Sequence, residues 1–219
     1  MSVHCARRRL AGLLVFALFM PGHAPLAASE PPQASVRSLP ELVRQQDLAL
    51  FHNPGAPIGA NPDGDVTVAI FFDYNCGCCR GFVRELSAVE SNDRNLRVVY
   101  LELPILGARS AFAARAALAA REQDAYLEFH EALMASQGYT SPEGIAKIAR
   151  TLLLDPAQLL RDMEDPAIGR IIEKNQRLAD ALGIRGTPAL VLGDLLVQGA
   201  VPRDRLTELV DQVRGQTDP

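Results

Sequence analysis

The chain has 219 residues, 48% of them hydrophobic and 22% charged, with a formal net charge of −4. An acidic chain without a basic run is a poor partner for nucleic acid, while this much apolar content is ample for a packed core. Trp is absent, and the four cysteines are Cys5, Cys76, Cys78 and Cys79.

Residues 1–28 have the three-part layout of a secretory signal peptide. Arg7, Arg8 and Arg9 form a positive start, Leu10 to Met20 is uninterrupted apolar sequence, and Pro21-Gly22 ends it before the small residues Ala27 and Ala28. The apolar run is too short to span a bilayer comfortably, which weighs against a retained anchor. The Arg7-Arg8 pair lies in a poor context for twin-arginine export, so ordinary secretion is favoured. Cys5 precedes the apolar run, so it is not a lipid-attachment cysteine and is expected to be lost with the signal. Cleavage removes three arginines and no acids, moving the net charge from −4 to about −7. About 190 residues remain, the size of one domain or of a domain with an insertion. No later stretch is apolar enough to cross a membrane.

Residues 29–64 read as a flexible leader and a short helix. Residues 29–39 are rich in Pro and Ser, and Ser38 and Pro40 suit the cap and first position of a helix over Pro40 to Phe51. Two turn clusters follow, Asn53-Pro54-Gly55 and Asn61-Pro62-Asp63-Gly64.

Residues 65–108 carry a strand–helix–strand unit. Asp65 to Tyr74 is a continuous apolar, β-branched run, which predicts a buried strand of the parallel kind. Asn75 is placed to cap a helix starting at Cys76, with Phe82, Val83, Leu86 and Val89 on its apolar face. Leu96 to Leu103 is the next strand, and a right-handed crossover with parallel pairing is expected.

Residues 109–183 are helical throughout. An Ala-rich stretch from Ser110 runs on to about Ala135, Ser141 caps the next helix before Pro142, Asp155-Pro156 opens another, and Ile168 to Leu182 ends at Gly183. In residues 184–219 a strand over Ala189 to Leu192, the turn Gly193-Asp194 and a strand from Leu195 precede a last helix. Pro202 opens that helix, with Leu206, Leu209, Val210 and Val213 at helical spacing. The fold class is therefore α/β.

After cleavage every remaining cysteine lies between Cys76 and Cys79. Structural disulfides would be spread along the chain, so this cluster argues for chemistry. Cysteines at i and i+3 at a helix start share one face and can close a small disulfide ring. Cys76 would lie where free N–H groups and the helix dipole stabilise an anion, which lowers a thiol's pKa below its usual value. Cys79, one turn deeper, is expected to be less exposed. Cys76 thus exchanges with substrate sulfur, and Cys79 resolves or forms the mixed disulfide. A zinc site would need a second ligand pair, and none stands at a binding spacing. His130 is read as a helix-surface or packing residue. Gly186-Thr187-Pro188 precedes a strand where proline is awkward, which points to a special backbone conformation such as a cis bond.

Phe71 to Arg80, with Gly186-Thr187-Pro188-Ala189 some 107 residues beyond Cys79, resembles the DsbA family of periplasmic thiol–disulfide oxidoreductases. It is most similar to the suppressor-of-copper-sensitivity and Com1-type members. Asn61 to Thr67 and Leu103-Pro104-Ile105-Leu106-Gly107 support the resemblance, which spans residues 50 to 215. It implies a thioredoxin-like fold with a helical insertion between the second strand and the cis-Pro strand. It also implies a periplasmic site. On this chain Cys76 is the nucleophile and Cys79 the resolving cysteine, Gly77 and Cys78 are the dipeptide that tunes redox poise, and Thr187-Pro188 is the loop that docks substrate backbone.

The chain departs from that pattern twice. Ile70 stands where many relatives carry a glutamate that aids proton transfer, so an apolar neighbour tends to keep Cys79 protonated. Cys78 stands where Tyr or His is usual; it is an idle substitution, a rival thiol, or a soft ligand that with Cys76 or Cys79 holds Cu(I). Three functions follow: disulfide exchange, as oxidase, isomerase or reductase, with exported proteins and a membrane redox partner; Cu(I) binding by the clustered thiols; or an inactive binding module. The first needs no cofactor and no resident metal. The intact CxxC and Thr-Pro loop count against the third.

Overall fold

The computed structural model describes residues 34–136 and 140–217. The expected signal peptide, Cys5 and the first part of the leader lie outside them.

The sheet is organised around one central strand. β3 (Val66–Phe72) pairs in parallel with β4 (Leu96–Glu102), and antiparallel with β5 (Ala189–Leu192) on its other side. β6 (Leu195–Gln198) continues antiparallel from β5 across the Gly193-Asp194 turn, with Gly193 at φ +52°. β3 and β4 are mostly apolar without alternation, Thr67, Arg97 and Glu102 apart, because both faces are covered. Val66, Val68, Ile70 and Phe72 face one core, and Ala69 and Phe71 face the other.

Two edge strands were not legible. Residues 35–38, expected as flexible leader, form β1 (Ser35–Ser38), antiparallel to β6. β2 (Ile58–Ala60) pairs with β4, giving the order β1-β6-β5-β3-β4-β2. Each is short and gains its pairing by covering an otherwise open sheet edge. Ser38 is therefore no helix cap: its hydroxyl donates to Asp194 at 2.5 Å. The single helix expected over Pro40 to Phe51 is two, α1 (Pro40–Gln45) and α2 (Asp47–Leu50), because Gln46 leaves helical geometry at φ −106°, ψ 7°. The break turns Leu50 and Phe51 into the second core.

α3 (Gly77–Asn92) connects β3 to β4 and buries Cys79, Phe82, Val83, Leu86 and Val89. Between β4 and β5 lies the helical insertion: α4 (Ala108–Ala119), a 3₁₀ turn at Ala120–Gln123, then α5 (Tyr126–Ala135), α6 (Pro142–Thr151), α7 (Pro156–Asp162) and α8 (Pro166–Ala181). Three of these helices start with the same device, a side-chain cap followed by proline at the first helical position. Ser141 accepts from the Gly144 N–H, Asp155 from Ala157 and Asp165 from Ala167. Gly183, at φ +70°, follows the end of α8. α9 (Arg203–Thr217) closes the fold, burying Leu206, Leu209, Val210 and Val213. Arg214 ties it to Asp65 before β3 and to Asp93 after α3. Among the described residues no helix is long and apolar enough to cross a membrane.

The turn before β3 depends on a close approach that only glycine permits. A Cβ on Gly64 would stand 2.5 Å from the Asn95 carbonyl oxygen and 2.7 Å from the Arg97 nitrogen. Since the clash is with backbone, Gly64→Ala is expected to cost about 1–3 kcal/mol. Urea unfolding checks this, and an unchanged midpoint would contradict it.

Candidate active site

The parallel strands β3 and β4 end side by side, and the site is built at those ends. Asp73, directly after β3, is buried and its carboxylate organises the junction. Oδ1 accepts from the Asn75 N–H at 2.8 Å and the Ser110 hydroxyl at 2.7 Å, and Oδ2 accepts from the Leu106 N–H at 2.9 Å. The Asn75 side chain donates to Ser110 Oγ at 3.0 Å and accepts from the Thr140 hydroxyl at 3.1 Å. One carboxylate thus fixes the strand end, the Leu103–Gly107 loop and the start of α4.

With Asn75 held this way, Cys76 itself becomes the N-cap of α3, where the sequence reading placed Asn75. Cys76 Sγ accepts from the Cys79 N–H at 3.4 Å. Its thiol donates to the Thr187 carbonyl, 3.2 Å away and 111 positions along the chain. The Thr187–Pro188 peptide bond is cis. The fold therefore brings Cys76, Cys79, Thr187 and Pro188 together. Gly77 is exposed, and Cys78 is half-buried rather than exposed.

Cys76 and Cys79 carry free thiols in contrasting settings. The hydrogen bond from Cys79 and those from backbone N–H groups of the first turn outweigh partial burial, lowering the Cys76 thiol to about 6. Burial, and then the adjacent Cys76, push Cys79 strongly upward. At neutral pH the pair is one thiolate and one thiol. That is the asymmetry thiol–disulfide exchange requires, a half-exposed nucleophilic sulfur backed by a protonated, sheltered one.

Directly behind the strand ends lies a polar cluster that the sequence reading missed. Glu102, the last residue of β4, is buried, and its Oε1 accepts from the Tyr74 hydroxyl at 3.0 Å and the Tyr126 hydroxyl at 2.9 Å. Tyr74 also meets His130 Nδ1 at 3.0 Å. With Tyr74 donating to Glu102, that nitrogen carries the proton and donates to Tyr74. His130 packs within 4.8 Å of the Phe72 ring and 4.7 Å of Tyr100, so it is a packing residue, but in the core and not on a helix surface. Burial raises Glu102 to about 8 and lowers His130 to about 3. The available signal was a carboxylate closing a strand whose last residues before it, Val98 to Leu101, carry no charge, next to the end of β3.

The model of the DSBA-like thioredoxin domain family matches residues 67–211. The chain belongs to this family. It is a thiol–disulfide oxidoreductase with Cys76 and Cys79 as its CxxC pair. It is similar to a thioredoxin-like oxidoreductase from Silicibacter pomeroyi, at 48% identity and TM-score 0.75, over 77% of this chain and 97% of that one. The catalytic domain of ScsC from Proteus mirabilis has 26% identity and TM-score 0.74, over 81% and 99% respectively. Disulfide bond formation protein D of Bacillus subtilis is 23% identical over 170 residues, 72% of this chain and 77% of the relative.

Proposed function

We propose that the protein acts in the periplasm as an oxidant of exported proteins, with Cys76 as the exchanging sulfur and Cys79 as its resolving partner. The observation that carries this reading is the capped, low-pKa Cys76 sulfur held against the buried Cys79. A stabilised thiolate favours the reduced form of the site, and a site whose reduced form is stabilised oxidises its partners.

In one turnover a substrate thiolate attacks Cys76 of the Cys76–Cys79 disulfide. The site's S–S bond breaks, a substrate–Cys76 bond forms, and Cys79 leaves with the electron pair and takes a proton. A second substrate thiolate then attacks the substrate sulfur of the mixed disulfide. Cys76 departs as a thiolate, a good leaving group because its pKa is low. The substrate dithiol is oxidised to a disulfide and the site disulfide reduced to a dithiol, for a membrane redox partner to re-oxidise. The Thr187 carbonyl beside Cys76, with Pro188, marks the backbone that would line up the substrate chain.

Alkylation of the reduced protein by iodoacetamide tests the asymmetry. The rate at Cys76 is expected to rise with a midpoint near pH 6, while Cys79 stays unlabelled up to pH 9. A midpoint near 8.5, the usual free-thiol range, would overturn the reading. The Cu(I) reading gains no support: among the described residues no group of three or more His, Cys, Asp or Glu converges as a ligand set.

A further inference from the structure

Beside the thiols a groove of about 560 Å³ opens between α3 and α5. It starts at Gly77, the residue after Cys76, and a Cβ there would meet nothing within 4 Å, so its mouth is open. Arg80, Arg84 and Ser87 follow at three- and four-residue steps, which sets them on one face of α3. Buried Val83 and Met134 supply apolar surface, and Glu131 lies on the α5 side.

The charge in this groove is uneven. Arg80 donates to the neutral Tyr74 carbonyl at 3.2 Å, and among the described residues neither Arg80 nor Arg84 stands in an ion pair. Glu90 is raised by burial, against the lowering hydrogen bond from Tyr100, and its neighbour Glu131 raises it further by a smaller amount. Negative charge therefore gathers toward the far end of α3, and the stretch next to Cys76 is cationic within a chain of net charge −4.

We propose that this groove receives the segment of the partner polypeptide flanking its reacting cysteine, and that it selects segments with an acidic and an apolar side chain. The inference rests on the thiol–disulfide exchange reading of Cys76. The acidic group meets Arg80 and Arg84, and the apolar one rests on Val83 and Met134. Eight helical residues from Cys76 to Arg84 cover about 12 Å, which an extended strand covers in about three or four residues. The acidic residue is thus expected three or four positions from the partner's cysteine.

The test uses single-cysteine peptides linked by a disulfide to 2-mercaptoethanol, each with Leu and either Glu-Glu or Lys-Lys three and four positions from the cysteine. The reduced protein cleaves them at low ionic strength, and the acidic-to-basic rate ratio is read, so any general change in site reactivity cancels. The expected ratio is about tenfold, shrinking at 0.5 M salt and inverting in Arg84→Glu. A ratio near one, or a ratio unchanged in both Arg84→Glu and Arg84→Gln, would overturn the groove. Failure to reduce even bis(2-hydroxyethyl) disulfide would instead remove the exchange reading beneath it.

Discussion

Cys76→Ser is expected to lower dithiol–disulfide exchange by at least about a thousandfold, because it removes the sulfur that carries every covalent step. A serine hydroxyl in the same cap position keeps the helix start but is not ionised at neutral pH, and it forms no disulfide. Cys79→Ser should fail differently. Cys76 still reacts, but without its resolving partner the mixed disulfide with a substrate protein accumulates and appears on a non-reducing gel. Replacing Cys78 should leave exchange within about tenfold of the parent, since the Cys76–Cys79 pair closes without it. Equal losses in the Cys76 and Cys78 variants would contradict these roles.

The second large effect concerns Glu102 and the pH dependence of stability. Its carboxyl is raised from 4.5 to about 8 by burial. Between those values the unfolded chain has released the proton while the folded protein still holds it, so stability falls as pH rises from 4.5 through 8. Over that range the loss is on the order of 5 kcal/mol. His130 acts with the opposite sign: lowered from 6.5 to about 3, it stays neutral in the fold while the unfolded chain takes up a proton, so stability falls as pH drops through 6.5 toward 3. The two slopes offset each other between about pH 4.5 and 6.5; above that the lowered Cys76 thiol of the reduced protein gains stability as pH rises and opposes Glu102, so Glu102 acts without that opposition only in the disulfide form. In its Cys76–Cys79 disulfide form, where neither thiol titrates, the parent should become steadily less stable to urea from pH 6.5 to 8, and Glu102→Gln should flatten that decline because an amide does not titrate. Glu102→Ala strands two buried tyrosine hydroxyls and should cost about 3–5 kcal/mol near pH 4.5, a cost that shrinks as pH rises toward 8 and the parent loses the stability tied to its protonated carboxyl. Parallel pH profiles for the parent and Glu102→Gln would sink this account.

The parts of the fold that could be read along the chain were those whose signal is local. Val66 to Phe72 reads as a central strand because it is a continuous apolar and β-branched run, with Thr67 its one polar member. Ser141 and Asp155 read as caps because their partners lie two or three residues on. β1 and β2 were not legible, since Ser35–Ser38 and Ile58–Ala60 become strands only through a partner edge far along the chain. The cap of α3 moved from Asn75 to Cys76 for a related reason: Ser110 and Thr140, 35 and 65 positions away, occupy the Asn75 side chain.

The same division runs through the site. Cys76, Cys79, Thr187 and Pro188 were singled out from motif residues, and the fold sets Cys76 at hydrogen-bonding distance from Cys79 and from the Thr187 carbonyl that precedes Pro188. The clamp at Asp73 and the Glu102–Tyr74–Tyr126–His130 cluster were not found. The bonds that join Asp73 to Ser110, Tyr74 to Glu102 and His130, and Tyr126 to Glu102 span 24 to 56 positions and form only when the insertion packs against the sheet. Polar residues dispersed in this way carry no period and no spacing, so nothing along the chain marks them as a group.

The most direct test of the account is equilibration of the protein in glutathione redox buffers, with the disulfide mapped by mass spectrometry. The expected result is a single two-electron couple, a Cys76–Cys79 bond, at a potential less negative than about −270 mV, the value typical of thioredoxin. No Cys76–Cys79 bond anywhere across the range, or a bond that engages Cys78 in its place, would contradict it.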